Sequence, residues 1–105
     1  MPVLRFTREW VDPILDGRKT QTLRKNVART VRPGEVVDAQ CGSRYRPETF
    51  AQLEVISVEP VALDDLTRGD ARREAVTYRR LIDGIQSLYP GVSQFTRVIF
   101  RVVER

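Results

Sequence analysis

Hydroxyls, carboxylates, lysine and arginine are the side chains on which this sequence could build acyl-group chemistry. Lys19, Thr22 and Arg24 fall in one short run, Gly17-Arg18-Lys19-Thr20-Gln21-Thr22-Leu23-Arg24, and Glu74 lies far downstream. A threonine hydroxyl can attack an acyl carbon once a base takes its proton. A lysine can be that base as a neutral amine, or can stabilise an oxyanion as a cation. A glutamate can protonate a departing nitrogen and later activate water, a task that suits a carboxylate whose pKa is raised by partial burial. An arginine offers a hydrogen-bonding fork to a base carbonyl, or a partner to a carboxylate such as Glu74. Each residue also has an ordinary use. Threonine is common in strands, lysine after a glycine turn is often a solvated charge near a helix C-terminus, and Arg24 can simply end a strand at the surface. Glu74 stands near a helix start, where glutamate is favoured. Asp70, Ala71, Thr77 and Tyr78, its neighbours three and four positions away, supply no cation.

Composition narrows the chemistry further. The 105 residues include no histidine and one cysteine, Cys41. Ser-His-Asp and Cys-His machinery is therefore excluded, a zinc site is not expected, and Cys41 reads as a strand-end or core residue. With no His/Cys cluster and no glycine-rich phosphate loop, no cofactor is implied. Lys19 and Lys25 are the only lysines among 18 basic residues, so few side chains can shed a proton to act as a base. The net charge of +4 favours phosphate-bearing partners in a general way, RNA among them.

The chain has room for one domain with one modest core, so residues 1–105 are read as a single domain. Apolar runs such as Val98–Phe100 are too short to cross a bilayer, and Arg5, Arg8 and Glu9 interrupt any signal-like apolar stretch. The expectation is a cytoplasmic monomer that does not engage membranes.

The elements that must position these residues follow from periodicity and punctuation. Val3–Phe6 is a strand, and Thr7 caps a helix over Arg8–Asp16 with Trp10, Ile14 and Val11 inward and Pro13 in its first turn. Gly17 stops that helix. Thr20–Arg24 is a strand with Thr20, Thr22 and Arg24 on one face and Gln21 and Leu23 on the other. A basic loop, 26–33, carries Arg29 and Arg32 and closes at Pro33-Gly34. Strands over Glu35–Gln40 and Thr49–Glu59, the second burying Leu53, Val55 and Ile56, form a hairpin with a longish loop over Gly42–Glu48; Pro60 ends it. After a connecting segment with a helical turn, Asp70 caps a short helix over Ala71–Val76. Thr77 caps another over Tyr78–Leu88, with a stripe of Leu81, Ile82, Ile85 and Leu88. Tyr89-Pro90-Gly91 breaks it, and Phe95–Val103 is the last strand. The fold class is α+β, a small mixed β-barrel with flanking helices.

The Gly17–Arg24 run resembles the G-x-K-T-x-T-x-R signature of the ASCH family, which shares the PUA-like barrel, and Gly34-Glu35 matches its G-[DE] turn. Asp65-Leu66-Thr67, Ala71, Glu74, Thr77 and Leu81, and Tyr89-Pro90-Gly91 with Gln94-Phe95, are similar to the small bacterial N(4)-acetylcytidine amidohydrolases. The likeness runs from about Phe6 to Phe100. It implies that Lys19, Thr22 and Glu74 are the catalytic set, with Arg24 binding substrate. Phe6, Trp10, Tyr89 and Phe95 are candidates for one base-stacking residue. The chain departs from the pattern in Lys25, Arg29 and Arg32, where acidic residues are usual, in Asp70 where a histidine is familiar, and in Thr96.

Three functions are therefore compared: an amidohydrolase acting on N(4)-acylated cytosine nucleosides or nucleotides, a non-catalytic RNA-binding module using the same cleft, and a ribonuclease. The Lys19/Thr22/Glu74 set favours the first. The basic loop favours the others.

Overall fold

A computed structural model describes residues 2–104. Five strands form one sheet in the order β1-β3-β4-β5-β2. They are β1 (Val3–Arg5), β2 (Gln21–Arg24), β3 (Val36–Ser43), β4 (Arg46–Ala62) and β5 (Gln94–Glu104). Only β1 and β3 run parallel; β3–β4, β4–β5 and β5–β2 are antiparallel. Helix α1 (Val11–Leu15) follows a 3-10 turn at Arg8–Trp10, and α2 (Arg68–Arg73) and α3 (Tyr78–Leu88) sit between β4 and β5. The edge strands β1 and β2 do not pair in a ladder. They are joined by the Arg24 guanidinium, whose Nη2 donates to the Arg5 carbonyl at 2.6 Å. The sheet thus curls into the expected barrel, with a side chain at its seam.

The alternating apolar residues of β1, β3, β4 and β5 fill the interior. Leu4, Phe6, Val37, Leu53, Val55, Val98 and Phe100 pack there with Ile14 from α1. A second core lies under the helices, where Leu81 and Ile85 of α3 meet Leu23, Leu66, Ala71 and Phe95. Strand β2 lies between the two cores, so Gln21, Thr22 and Leu23 are all buried.

Several sequence expectations are corrected. The β3–β4 hairpin turns through Arg44-Tyr45 alone, not through a long loop. Its return is tight enough that a Cβ on Gly42, at φ +95°, would lie 2.7 Å from the Arg46 carbonyl oxygen. Ile56 points outward, 48% exposed, because it is the extra residue of a bulge between the Val55–Phe100 and Ser57–Ile99 pairs. Pro60 does not end its strand but pairs with Thr96, beyond the reach of β3, where β4 has become an edge and a missing N–H is tolerated. Leu88 lies outside the buried stripe of α3, at 67% exposure. Thr67, not Asp70, caps α2: its hydroxyl accepts from the Asp70 N–H, and the Asp70 carboxylate accepts from the Thr67 N–H. The first helix is shorter than read, and Thr7 donates to Glu9 rather than capping. Thr77 does cap α3, accepting from the Arg80 N–H. Cys41 is buried in β3.

Candidate functional site

A cavity of about 500 Å³ opens between the β1–α1 segment, β2 and α3, a size typical of small-molecule sites. Lys19, Thr22, Arg24 and Glu74 all line it. Local structure dictates this convergence. Gly17 takes φ +84° just after α1, which turns the chain so that the Lys19 N–H returns to the Pro13 carbonyl at 2.9 Å. The next N–H, of Thr20, donates to the Arg73 carbonyl at 2.6 Å. That bond ties the start of β2 to the end of α2, one residue before Glu74. Helix α2 then closes with Ala75 in the left-handed region at φ +60°, a conformation that disfavours a side-chain-bearing residue.

Lys19 and Glu74 meet directly, with Nζ 3.3 Å from Oε1 and only 4% and 10% of the side chains exposed. Glu74 therefore has its cation after all, 55 residues away in sequence rather than on its own helix. Burial is the strongest influence on both groups. It pushes the Glu74 carboxyl up against the opposing pull of Lys19 and Gln21, and it pushes the Lys19 ammonium down against the pull of Glu74. Both shifts favour moving the proton from Lys19 to Glu74. The Lys19 Nζ also lies 4.8 Å from the centre of the Trp10 ring, which orients it and favours its charged form.

Thr22 and Arg24 form the second contact. Arg24 Nε donates to Thr22 Oγ1 at 3.1 Å. A guanidinium at that position stabilises negative charge developing on the hydroxyl oxygen while leaving the hydroxyl proton free to be donated elsewhere. Arg24 is thus neither a hydrogen-bond partner of Glu74 nor an unoccupied fork. Its Nη2 is held by the Arg5 carbonyl and its plane lies over Phe6, 5.0 Å from the ring centre. Burial lowers its pKa somewhat, opposed by Tyr89 and Glu74; an arginine remains cationic regardless.

Of the four aromatic candidates, Phe95 is buried in the second core while Phe6, Trp10 and Tyr89 line the cavity. Phe6 and Trp10 carry Arg24 and Lys19 on their faces. Tyr89, packed on Phe95 at a 49° tilt, is the remaining ring available to a planar ligand. The basic loop does not line the cavity. Arg32 pairs with Glu35 at the surface, and Val31 anchors the loop in the first core. The cations at the cavity wall besides Lys19 and Arg24 are Arg5 and Arg80.

Sequence reasoning passed over one buried polar group. Gln21, on the face of β2 opposite Thr22, has no exposed surface and donates through Nε2 to Glu74 Oε2 at 3.0 Å. Its Oε1 accepts from Arg73 Nε at 2.7 Å. Behind it, Asp70 is fully buried and receives Arg73 at 2.9 Å and Arg97 at 2.7 and 3.1 Å. The signal available in the sequence was a glutamine between two threonines in a strand otherwise destined for burial, and an Asp70/Arg73 pair at i,i+3.

No family model matches the sequence. It is 37% identical over 100 residues to the N(4)-acetylcytidine amidohydrolase of Vibrio atlanticus, covering 95% of this chain and 94% of that protein. Against the protein of the same name from Serratia proteamaculans it is 37% identical over 98 residues, covering 92% and 93%. Among solved structures, an ASCH domain from Lactobacillus crispatus superposes with a TM-score of 0.72 over 90% of this chain and 70% of that one, at 13% identity. An ASCH protein from Zymomonas mobilis superposes with a TM-score of 0.75 over 94% and 65%, at 12% identity. At such low identity these two structures establish the ASCH fold and nothing about chemistry.

Proposed function

Because the chain belongs to the N(4)-acetylcytidine amidohydrolase family, we propose that it hydrolyses the N(4)-acetyl amide of acetylated cytidine to cytidine and acetate, with Thr22 as nucleophile. The observation that carries the reading is the buried Lys19–Glu74 pair in the same cavity as an arginine-held threonine hydroxyl.

The pair holds one proton to share. With that proton on Glu74, Lys19 is a neutral amine able to take the Thr22 proton as Oγ1 attacks the acetyl carbon, and Glu74 is an acid for the nitrogen. The tetrahedral intermediate collapses by breaking the bond from the acyl carbon to N4. Glu74 protonates that nitrogen, and cytidine leaves with the acetyl group esterified to Thr22. Glu74, now a carboxylate, takes a proton from water, which attacks the ester; acetic acid departs and ionises to acetate in solvent, and Thr22 regains its proton from Lys19. Burial shifts both groups in the direction this cycle needs. Arg24 holds the threonine oxygen at the start and the end of the cycle, and Tyr89 offers a face for the cytosine ring. Arg5 and Arg80 at the wall are suited to a phosphate on a nucleotide form of the substrate.

The basic loop stands off the cavity, so Lys25, Arg29 and Arg32 add no phosphate contact at the cavity wall. The test is direct. Purified protein incubated with N(4)-acetylcytidine should release cytidine and acetate in equal amounts, and Lys19→Ala should slow release by about 10²-fold or more. Absence of turnover by the wild-type protein, together with salt-sensitive RNA binding, would overturn the proposal.

A further inference from the structure

Gln21 does more than satisfy its own hydrogen bonds. We propose that it is a positioning residue, clamped by Arg73, that reserves one oxygen of Glu74 for proton transfer with Lys19. The inference rests on the functional reading above and deepens it.

The argument is one of donor and acceptor capacity. Arg73 Nε can only donate, so the Gln21 atom 2.7 Å from it must be the carbonyl oxygen. The amide nitrogen is thereby turned to Glu74, 3.0 Å from Oε2. That nitrogen can only donate in its turn, and a hydroxyl oxygen accepts more weakly than a carbonyl or carboxylate oxygen, so the donor favours an unprotonated Oε2. When Glu74 is protonated, the proton is thereby directed to Oε1, the oxygen 3.3 Å from Lys19 Nζ. Rotating the amide would undo the arrangement, and Arg73 prevents it. Arg73 is itself fixed, since its Nη2 donates to Asp70 Oδ1, and Asp70 is held by two bonds from Arg97 and by Thr67. Gln21 is wholly buried, so water cannot substitute for either partner.

The charged and titratable groups facing Glu74 are Lys19 in direct contact, Arg24 from β2 and Asp70 from its own helix. Arg5, Glu9, Arg80 and Tyr89 complete the cavity wall. Gln21 is neutral, so replacing it changes no charge in this field and removes only the hydrogen bonds its side chain makes, to Glu74, Asp70 and Arg73.

The test uses Gln21→Met, which keeps length and volume but removes the donor, and Arg73→Met, which leaves Gln21 in place but frees its amide to turn. Losing a donor to the carboxylate raises its proton affinity. The acid limb of the kcat/KM profile for N(4)-acetylcytidine should move up by about one pH unit in Gln21→Met, a tenfold change in proton affinity, and by less in Arg73→Met. The 13C titration midpoint of the Glu74 carboxyl should move with it. A residue that merely fills the core would lower Tm and leave both midpoints within about 0.3 units of wild type, and that result overturns the proposal. Should Gln21→Met fail to fold, an unmoved Glu74 midpoint in Arg73→Met overturns it equally. If the wild-type protein does not turn over N(4)-acetylcytidine, the functional reading fails, and the carboxyl titration still decides the role of Gln21.

Discussion

Thr22→Ala should lower kcat for N(4)-acetylcytidine hydrolysis by about 10³-fold or more, because among the described residues no other hydroxyl is held by Arg24 in the cavity. The effect should be confined to chemistry. Thr22 is buried, but its hydroxyl contributes one hydrogen bond, from an arginine that retains its bond to the Arg5 carbonyl and its seat on Phe6. Removal should therefore cost only about 1 kcal/mol of stability, visible as a Tm lowered by a few degrees. Thr22→Ser preserves the nucleophile and should recover a substantial part of the rate. Mass spectrometry of the wild-type enzyme quenched during turnover should find an acetyl group on the peptide containing Thr22, and none on that of Thr22→Ala. A Thr22→Ala enzyme working within tenfold of wild type would mean that Lys19 and Glu74 activate water directly, and the covalent step would have to be withdrawn.

The parts of this site that could be read from the sequence are those governed by local rules. Gly17 marks the end of the first helix because its left-handed backbone is one that glycine adopts freely, and the Lys-x-x-Thr-x-Arg spacing after it places Thr22 and Arg24 on one strand face. Thr77 and α3 follow from the capping rule and the 3.6-residue stripe. The errors arise where distant chain segments decide. Ile56 and Pro60 were misread because bulges and the end of β3 set the register of β4, and neither is visible in a local window. Asp70 looked like a helix cap, yet it lies three residues inside a capping box headed by Thr67. Glu74 has no cation among its helical neighbours, the only contacts a local window supplies. Its real partners, Lys19 and Gln21, come from 55 and 53 residues away. Grouping of Glu74 with the Lys19–Arg24 run depended on family resemblance. The physical cause is the pair of backbone bonds that join Thr20 to Arg73 and Lys19 to Pro13.

The largest stability effect is expected at Asp70. Its side chain has no exposed surface and faces two guanidiniums, Arg97 with 16% of its side chain exposed and Arg73 with 37%. Burial alone would raise its pKa. Hydrogen bonds from Arg97 and from the Thr67 backbone, with Gln21 and the charge of Arg97 adding to them, outweigh that and hold it down to about 2 from an ordinary 3.8. Asp70→Asn keeps the shape but removes the buried counter-charge of Arg97, leaving it only the more exposed Glu59 at 3.4 Å. Breaking one side of a buried pair costs about 3 kcal/mol, which in a domain of this size lowers Tm by about 10–20 °C. The pH dependence supplies a sharper check. The folded-state pKa lies below the unfolded one, so the stability contributed by this carboxylate is fully present above about pH 4 and is lost as the pH falls towards 2. The difference in urea midpoint between wild type and Asp70→Asn should be wide at pH 6 and should close as the pH approaches 2. A gap that stays constant with pH would mean that the loss comes from packing or from the Thr67 cap rather than from charge. Activity provides the connection to the cavity. Asp70 anchors Arg73, and Arg73 clamps Gln21, but the Asp70 charge also pushes the Glu74 carboxyl up directly. Loss of the clamp and loss of the charge therefore act in opposite directions in Asp70→Asn, and its acid limb, assayed well below the melting temperature, should move by less than that of Gln21→Met. The same carboxylate thus serves both the stability of the helix–strand junction and the anchoring of the Gln21 clamp.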